Sequence, residues 1–231
     1  MQDLGERSLA SIRLFEDVEP AERRRLEQAC QWRRYHLGER VFDHGSTSRD
    51  VYFVITGAVN IVNFSPSGRE VAFGQALAGD SFGELAAIDG KPRSAIVVAR
   101  EESYLARLDC QVFLALLERD PAVNIKLLRR LAQIIRQEDE RIMELATLAA
   151  SRRVFAELIR MAKPDAAVPD LWVVRPMPPL HEVAARVGTS RETVSRALAE
   201  LYPTGLIRRK DRNLYLMDKA ALEEIVLHQG G

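Results

Sequence analysis

The string Arg191-Glu192-Thr193-Val194-Ser195-Arg196 packs two guanidinium groups, a carboxylate and two hydroxyls into a short stretch. Wound into a helix, it turns Val194 and Leu198 to one side and leaves Arg191, Glu192, Ser195 and Arg196 on the other. Those side chains suit the edges of base pairs. Arg offers a two-pronged donor to guanine, and Glu accepts from the amino group of cytosine. Taken singly, Glu192 is also a helix cap and Arg191 a solvated surface charge. The neighbours favour nucleic acid. Arg208, Arg209, Lys210 and Arg212 follow in a predicted β-hairpin, with Leu206–Arg209 and Leu214–Met217 as its arms, and their charge suits phosphate contact.

These side chains need two helices to present them. Leu180 to Gly188 reads as a short helix closed by glycine, with Leu180, Val183, Ala184 and Val187 on one face. Thr189 or Ser190 caps the next helix, and Thr189-x-x-Glu192 fits a capping box. Helix, glycine turn and second helix make a helix-turn-helix. Upstream, Val154, Leu158 and Met161 mark a helix that stops before Pro164. Pro164, Pro169, Pro176, Pro178 and Pro179 then mark loop or edge backbone. Residues 150–231 carry 13 Lys and Arg against 10 Asp and Glu, a net of +3. The rest carries −3, although the whole chain balances at 33 of each sign.

The N-terminal half has a different texture. From Leu37 to Leu108 short apolar runs, Val51–Ile55, Ala58–Val62 and Ala95–Ala99, alternate with turns at Gly45, Gly57, Ser67-Gly68, Gly79-Asp80 and Asp89-Gly90. That spacing predicts an antiparallel barrel or jelly roll. A helix precedes it over Glu19 to Trp32, with Pro20 at its first position. A long helix follows from Pro121 to about Ala150. Leu128, Leu131, Ile135, Glu138, Ile142, Leu145 and Ala149 step along it by threes and fours, a seam long enough for a two-stranded coiled coil. A single helix laid on its own β-domain also needs an apolar stripe, but this one is narrow and flanked by Arg129, Arg130, Arg136 and Arg141, which favours a dimer. Glu138 interrupts it, and a carboxylate there costs stability unless something pairs with it.

Composition bounds the function. Of 231 residues 47% are hydrophobic and 29% charged, the profile of an ordinary globular chain. No apolar run is long enough to span a membrane, and the charged start Met1–Arg7 lacks the apolar segment of a secretory signal. Cys30 and Cys110 stand alone, which makes neither a disulfide framework nor a zinc or iron–sulfur ligand set. The expected compartment is the cytoplasm. No nucleophile–base set, metal motif or phosphate-binding loop of an ATPase appears, so an enzyme is not expected, nor a cyclic-nucleotide-controlled enzyme or transport subunit.

The segment Glu182 to Arg209, centred on RVGTSRETVSRALAEL, resembles the winged helix-turn-helix of the CRP/FNR family of transcription regulators. The resemblance implies that Arg191, Glu192 and Arg196 contact bases of a half-site and that His181 meets a phosphate. Ser190 and Ser195 border them, and Arg208 and Arg209 lie on or near the wing. Tyr202-Pro203-Thr204-Gly205 is more interrupted by proline than the family pattern. The resemblance runs on into the β-rich half. Gly38-Glu39, Phe42, Gly45, Val51–Val54, Gly57, Gly79-Asp80 and the segment Phe82 to Ala95 are similar to a cyclic-nucleotide-binding domain and its phosphate-binding cassette.

That implies a site made of Gly83, Glu84, Leu85, Arg93, Ser94 and Ala95. The glycine admits a phosphate to the backbone, Arg93 forks to the phosphate, Ser94 donates its hydroxyl and Glu84 accepts from a ribose hydroxyl. The alternative at the residue level is that Arg93 and Glu84 simply pair. The two family positions that touch the base fall on Glu138 and Asp139, which accept hydrogen bonds and leave cAMP and cGMP both open.

The whole reading is an α+β chain of three parts. Residues 1–120 form an N-terminal antiparallel β jelly roll for the effector, 121–150 a dimerisation helix and hinge, and 151–231 a C-terminal winged helix-turn-helix. It implies a homodimer on palindromic double-stranded DNA, working with RNA polymerase and gated by cAMP or cGMP, with no metal, haem or membrane partner. The readings kept beside it are a regulator with another effector or none, and a redox or gas sensor using the cysteines or a haem on His36 or His44.

Overall fold

The computed structural model describes residues 7–65, 70–165, 168 and 171–227. The turn at Ser67-Gly68 and the expected loop position of Pro169 lie outside them. The chain divides into two compact units, Met1–Ile135 and Arg136–Gly231.

In the first unit, α1 (Pro20–Ala29) precedes strands β1 (Gln31–Tyr35), β2 (Arg40–Phe42), β3 (Val51–Thr56), β4 (Ala58–Phe64) and β5 (Glu70–Leu77). After β6 (Ser81–Phe82) come a short helix α2 (Glu84–Asp89), strands β7 (Ile96–Ala99) and β8 (Ser103–Leu108), and α3 (Cys110–Arg119). Two four-stranded sheets, β1-β8-β3-β6 and β2-β7-β4-β5, are antiparallel at every pairing. This is the expected jelly-roll architecture. Pro20 starts α1 as expected, but the helix ends at Ala29, and Gln31 and Trp32 belong to β1. Trp32 pairs with Ala106 of β8 in a sheet ladder, and tertiary pairing has overridden a continued helix.

Strand β3 explains why Val51–Val54 is a continuous apolar run and does not alternate. Both its faces are buried. Tyr52 and Val54 point into the roll with Val59, Phe82, Val97 and Leu105. Val51 and Phe53 point outward, where Phe15, Leu26, Phe113, Leu116, Val123 and Leu127 cover them. Val123 and Leu127 come from α4 (Pro121–Thr147), so the first turns of the long helix lie on the β-domain.

In the second unit, α5 (Ala150–Met161) is followed by β9 (Lys163–Pro164), β10 (Trp172–Val174), α6 (Leu180–Val187) and α7 (Arg191–Leu201). Then come β11 (Ile207–Lys210), β12 (Asn213–Leu216) and α8 (Lys219–Leu227). The strands form one antiparallel sheet, β11-β12-β10-β9. Its core joins Val154 and Leu158 of α5, Val183 and Val187 of α6, Val194, Ala197, Leu198 and Leu201 of α7, and Leu222 of α8. No described helix is long and apolar enough to cross a membrane.

Candidate effector pocket and nucleic-acid interface

The cassette closes on Arg93. Strand β6 delivers Phe82, and Gly83 then adopts φ +88, where a Cβ would stand 2.8 Å from Arg93 Nη1. Arg93 is 2% exposed. Its Nη1 donates to the Gly83 carbonyl at 2.8 Å, its Nη2 to the Asp50 carbonyl at 2.7 Å and its Nε to Ser48 Oγ at 3.1 Å. The guanidinium also lies 4.1 Å from the ring centre of Phe42, which packs with Tyr52 and Phe82. Burial pulls Arg93 below its ordinary value. A guanidinium has five N–H donors, so these three bonds leave two for a ligand.

Glu84 opens α2 and is 5% exposed, yet its Oε2 has no hydrogen-bond partner. The two residues therefore do not pair with each other. Burial pushes Glu84 above the ordinary carboxylate range, opposed by the nearby charge of Arg130. Arg130, on α4, donates to Ser81 Oγ at 3.1 Å and to the Ser81 carbonyl at 2.6 Å, one turn of chain before Glu84.

Of the predicted cassette residues, Gly83, Glu84 and Arg93 come together. Ala95 is buried in the roll wall, while Leu85 and Ser94 are exposed. Glu138 and Asp139 lie on α4 in the second unit, where Arg141 Nη1 is 3.9 Å from Glu138 Oε2. Sequence reasoning missed Phe42 as a stacking partner, and Ser48, Asp50 and Arg130. Asp50 acts on Arg93 through its main-chain carbonyl, which every residue carries, so no side-chain pattern announces it.

Arg93 is not available to a ligand alone. It also ties the 48–50 loop to Gly83, and so carries structure as well.

The helix-turn-helix forms as read, with one change. Gly188 ends α6 at φ +65. Ser190 caps α7, its hydroxyl accepting from the Thr193 N–H at 3.2 Å, whereas Thr189 is buried. The capping box therefore does not start at Thr189. Arg191, Glu192, Ser195 and Arg196 are all exposed, and His181 is exposed at the start of α6. The Glu192 carboxyl sits below its usual range, held by its own backbone N–H and then by the Ser190 hydroxyl. In the free protein it is thus a capping group and an outward acceptor together.

Tyr202–Thr204 makes one 3-10 turn that Gly205 closes, so Pro203 joins α7 to the wing without breaking either. Arg208, Arg209 and Lys210 are exposed on β11, and Asp211 turns the hairpin at φ +55.

The residues proposed for other sensing chemistries are also placed. Cys30 and Cys110 are buried free thiols, and burial pushes Cys30 up to about 12, which disfavours the reactive thiolate. His36 is at the surface, its Nδ1 3.0 Å from Glu102 Oε1. No cluster that could hold a metal occurs among the described residues.

Comparison with known proteins gives the same two parts. The cyclic nucleotide-binding domain family matches residues 32–120, and the Crp-like helix-turn-helix domain family matches residues 152–225. A cyclic AMP receptor protein of Thermus thermophilus is 32% identical over 92% of this chain and 95% of its own. A CRP-like cAMP-activated global transcriptional regulator of Mycobacterium tuberculosis is 29% identical over 93% and 96%. Among solved structures, a c-di-GMP responsive global regulator from Xanthomonas campestris is 27% identical and superposes with a TM-score of 0.66 over 82% of this chain and 94% of that one.

Proposed function

The chain belongs to the CRP/FNR family of transcription regulators, with a cyclic-nucleotide-binding domain and a DNA-binding helix-turn-helix, and on that premise we propose that it is a homodimer gated by cAMP or cGMP. The observation that carries the effector reading is the buried, unpartnered Oε2 of Glu84. A buried acceptor without a donor costs roughly 1–3 kcal/mol. A ligand hydroxyl removes that cost, and the two unused donors of Arg93 take the ligand's phosphate. Gly83 keeps the backbone open beside them, and Leu85, Ser94 and Ala95 complete the cassette.

The dimer reading rests on the outer stripe of α4. Leu128, Ile135 and Ile142 are 54%, 61% and 61% exposed, and water is a poor partner for them. A second copy laid along this stripe buries them. Two copies carry two recognition helices, and paired helices call for a palindromic operator with half-sites about one helical turn apart. At each half-site Arg191, Glu192, Ser195 and Arg196 read bases, while His181, Ser190, Arg208 and Arg209 hold phosphates. The protein works beside the chromosome in the cytoplasm, with RNA polymerase as the partner of a bound regulator.

A second reading has one observation in its favour. Three donors of Arg93 are already spent on the protein itself, as in a cassette retained for structure alone. Calorimetric titration with cAMP and with cGMP, with and without operator DNA, decides. Saturable binding that tightens with DNA supports the gated regulator. Operator binding with no heat from either nucleotide supports the structural cassette.

A further inference from the structure

The jelly roll carries a second polar hollow that the effector reading does not use. Gln31, Arg33 and Tyr35 of β1, Tyr52 of β3, and Leu105 and Arg107 of β8 line a cavity of about 130 Å³. The register explains the convergence. Gln31 pairs with Arg107, Arg33 with Leu105 and Tyr52 with Arg107, so alternate residues of three neighbouring strands share one sheet face. Strand periodicity thus sets the two guanidiniums on adjacent strands with two phenols beside them.

The lining is rich in donors and contains no carboxylate. Tyr35 and Tyr52 are each 4% exposed, and burial raises both above the ordinary phenol value, so both hydroxyls keep their protons. Each arginine is steadied from outside the hollow. Arg33 Nη2 meets Glu39 Oε1 at 2.5 Å, with its guanidinium 4.6 Å from the Tyr35 ring centre. Arg107 Nε lies 3.3 Å from Asp50 Oδ2. Each arginine gives one N–H to its carboxylate and another to a phenol of the lining, Arg33 to Tyr35 and Arg107 to Tyr52, and has further donors of its five beside the hollow. The two carboxylates cancel the net charge, so a ligand is held by directed hydrogen bonds more than by bulk charge. The acceptor that suits such a wall is an oxyanion with several oxygens. The hollow has room for a phosphate group.

We propose that this hollow is a second ligand site that binds a phosphate group, as free phosphate or as the phosphoryl end of a small metabolite. It lies near the cassette. Asp50 gives its carboxylate to Arg107 and its carbonyl to Arg93, and Tyr52 lines the hollow with its ring centre 5.9 Å from the Arg93 guanidinium. One residue therefore serves both arginines.

The test needs no nucleotide and so stands or falls apart from the effector reading. The full chain is titrated calorimetrically with inorganic phosphate at constant ionic strength set by chloride, and in a parallel arm with glycerol phosphate. Saturable binding of one phosphate per chain is expected, weakened at least tenfold by Arg33→Gln with Arg107→Gln and unchanged by Ser94→Ala in the cassette. Binding of both probes assigns the site to phosphate monoesters, and binding of inorganic phosphate alone assigns it to the free ion. If the double variant does not fold, Arg33→Gln alone serves, since that side chain is 65% exposed. The absence of saturable binding overturns the proposal, as does binding that survives the arginine changes or is lost in Ser94→Ala.

Discussion

Arg93 Nη1 donates to the carbonyl of Gly83 at 2.8 Å, so the arginine near the end of the cassette closes on its first glycine. Removing it frees two main-chain carbonyls and a hydroxyl, and leaves Phe42 without the cation stacked on it. Unmet buried acceptors cost roughly 1–3 kcal/mol each, less where water reaches them. Arg93→Ala is expected to lose about 2–4 kcal/mol of stability together with nucleotide binding. Urea unfolding beside the titration checks both. An alanine variant as stable as the parent would show that the three bonds contribute little.

The exposed face of α7 gives the opposite pattern. Arg191 makes no core contact, so Arg191→Ala should leave the unfolding midpoint in place, whereas Glu192→Ala also removes a cap of α7 and should lower it slightly. Each change should cost about 1–3 kcal/mol of specific DNA affinity and relax the choice at one base pair per half-site. Arg208→Ala and Arg209→Ala in the wing should weaken binding evenly across sequences and lower the salt slope by about one each. Binding-site selection run at two salt concentrations separates the classes. Loss of sequence choice in the wing variants would reverse the assignment.

Glu84 makes stability depend on pH in a direction unusual for a carboxylate. Burial raises it above its ordinary value of 4.5, so the folded chain holds this proton more tightly than the unfolded one. The contribution is therefore fully present below pH 4.5 and is lost as pH rises through the raised value. Glu84→Gln removes that loss. The variant should gain stability relative to the parent between pH 4.5 and pH 7.5, while losing affinity for any ligand whose hydroxyl the carboxylate accepts. Urea midpoints at the two pH values give the sign, and equal differences at both would refute the assignment.

The parts of the chain legible in its sequence are those that local pattern governs. Gly188 between two amphipathic stretches and Pro121 after Asp120 needed no tertiary information, and α6, α7 and the start of α4 follow from them. The end of α1 was not legible, because Gln31 and Trp32 are strand residues only by virtue of pairing with β8. Helix α3 has a cap that the sequence also offers, the Asp109 carboxylate accepting from the Gln111 N–H at 2.8 Å, but a single aspartate is a weak start signal without a glycine or proline beside it. At the cassette, motif residues were found and their supports were not. Ser48 and Asp50 lie 45 and 43 residues from Arg93 and meet it only through the folded roll.

The stripe on α4 yields a test of assembly. Glu138 interrupts an apolar series, and its partner Arg141 lies at 3.9 Å, too far to offset desolvation in a dry seam. Glu138→Leu should tighten self-association by about 1.5–3 kcal/mol per chain, the value of fully burying a leucine. It should also make DNA binding less dependent on nucleotide. Sedimentation equilibrium and operator titrations measure the two effects. Weaker association in the leucine variant would place the seam elsewhere on the helix.

The last prediction concerns how the long helix instructs the DNA reader. Arg160 of α5 binds both Glu144 near the end of α4 and Glu157 on its own helix, and Glu157, 5% exposed, also takes Arg186 of α6 at 3.2 Å. Arg153 adds a second tie, donating to the Leu148 carbonyl at 2.8 Å and to the Val187 carbonyl at 3.0 Å. Leu145 completes the joint, with its Cδ2 3.2 Å from where a Cβ on Gly188 would stand. The two arginines of the relay should therefore behave differently. Removing Arg186 takes one of two partners from a buried carboxylate and should cost about 1–3 kcal/mol of stability in the DNA-binding unit. Arg160 is half exposed, and its pair with Glu144 contributes only about 0–1 kcal/mol. Arg160→Ala takes one partner from buried Glu157 as well, so it should lower stability to an extent similar to Arg186→Ala, but it alone also loosens α4 from α5. If the joint carries the effector signal, the ratio of operator affinities with and without nucleotide should fall toward one, a loss of about 1–3 kcal/mol of coupling. Nucleotide affinity without DNA should stay as it was. A full wild-type ratio in Arg160→Ala would assign transmission to Arg153 and Leu145 instead.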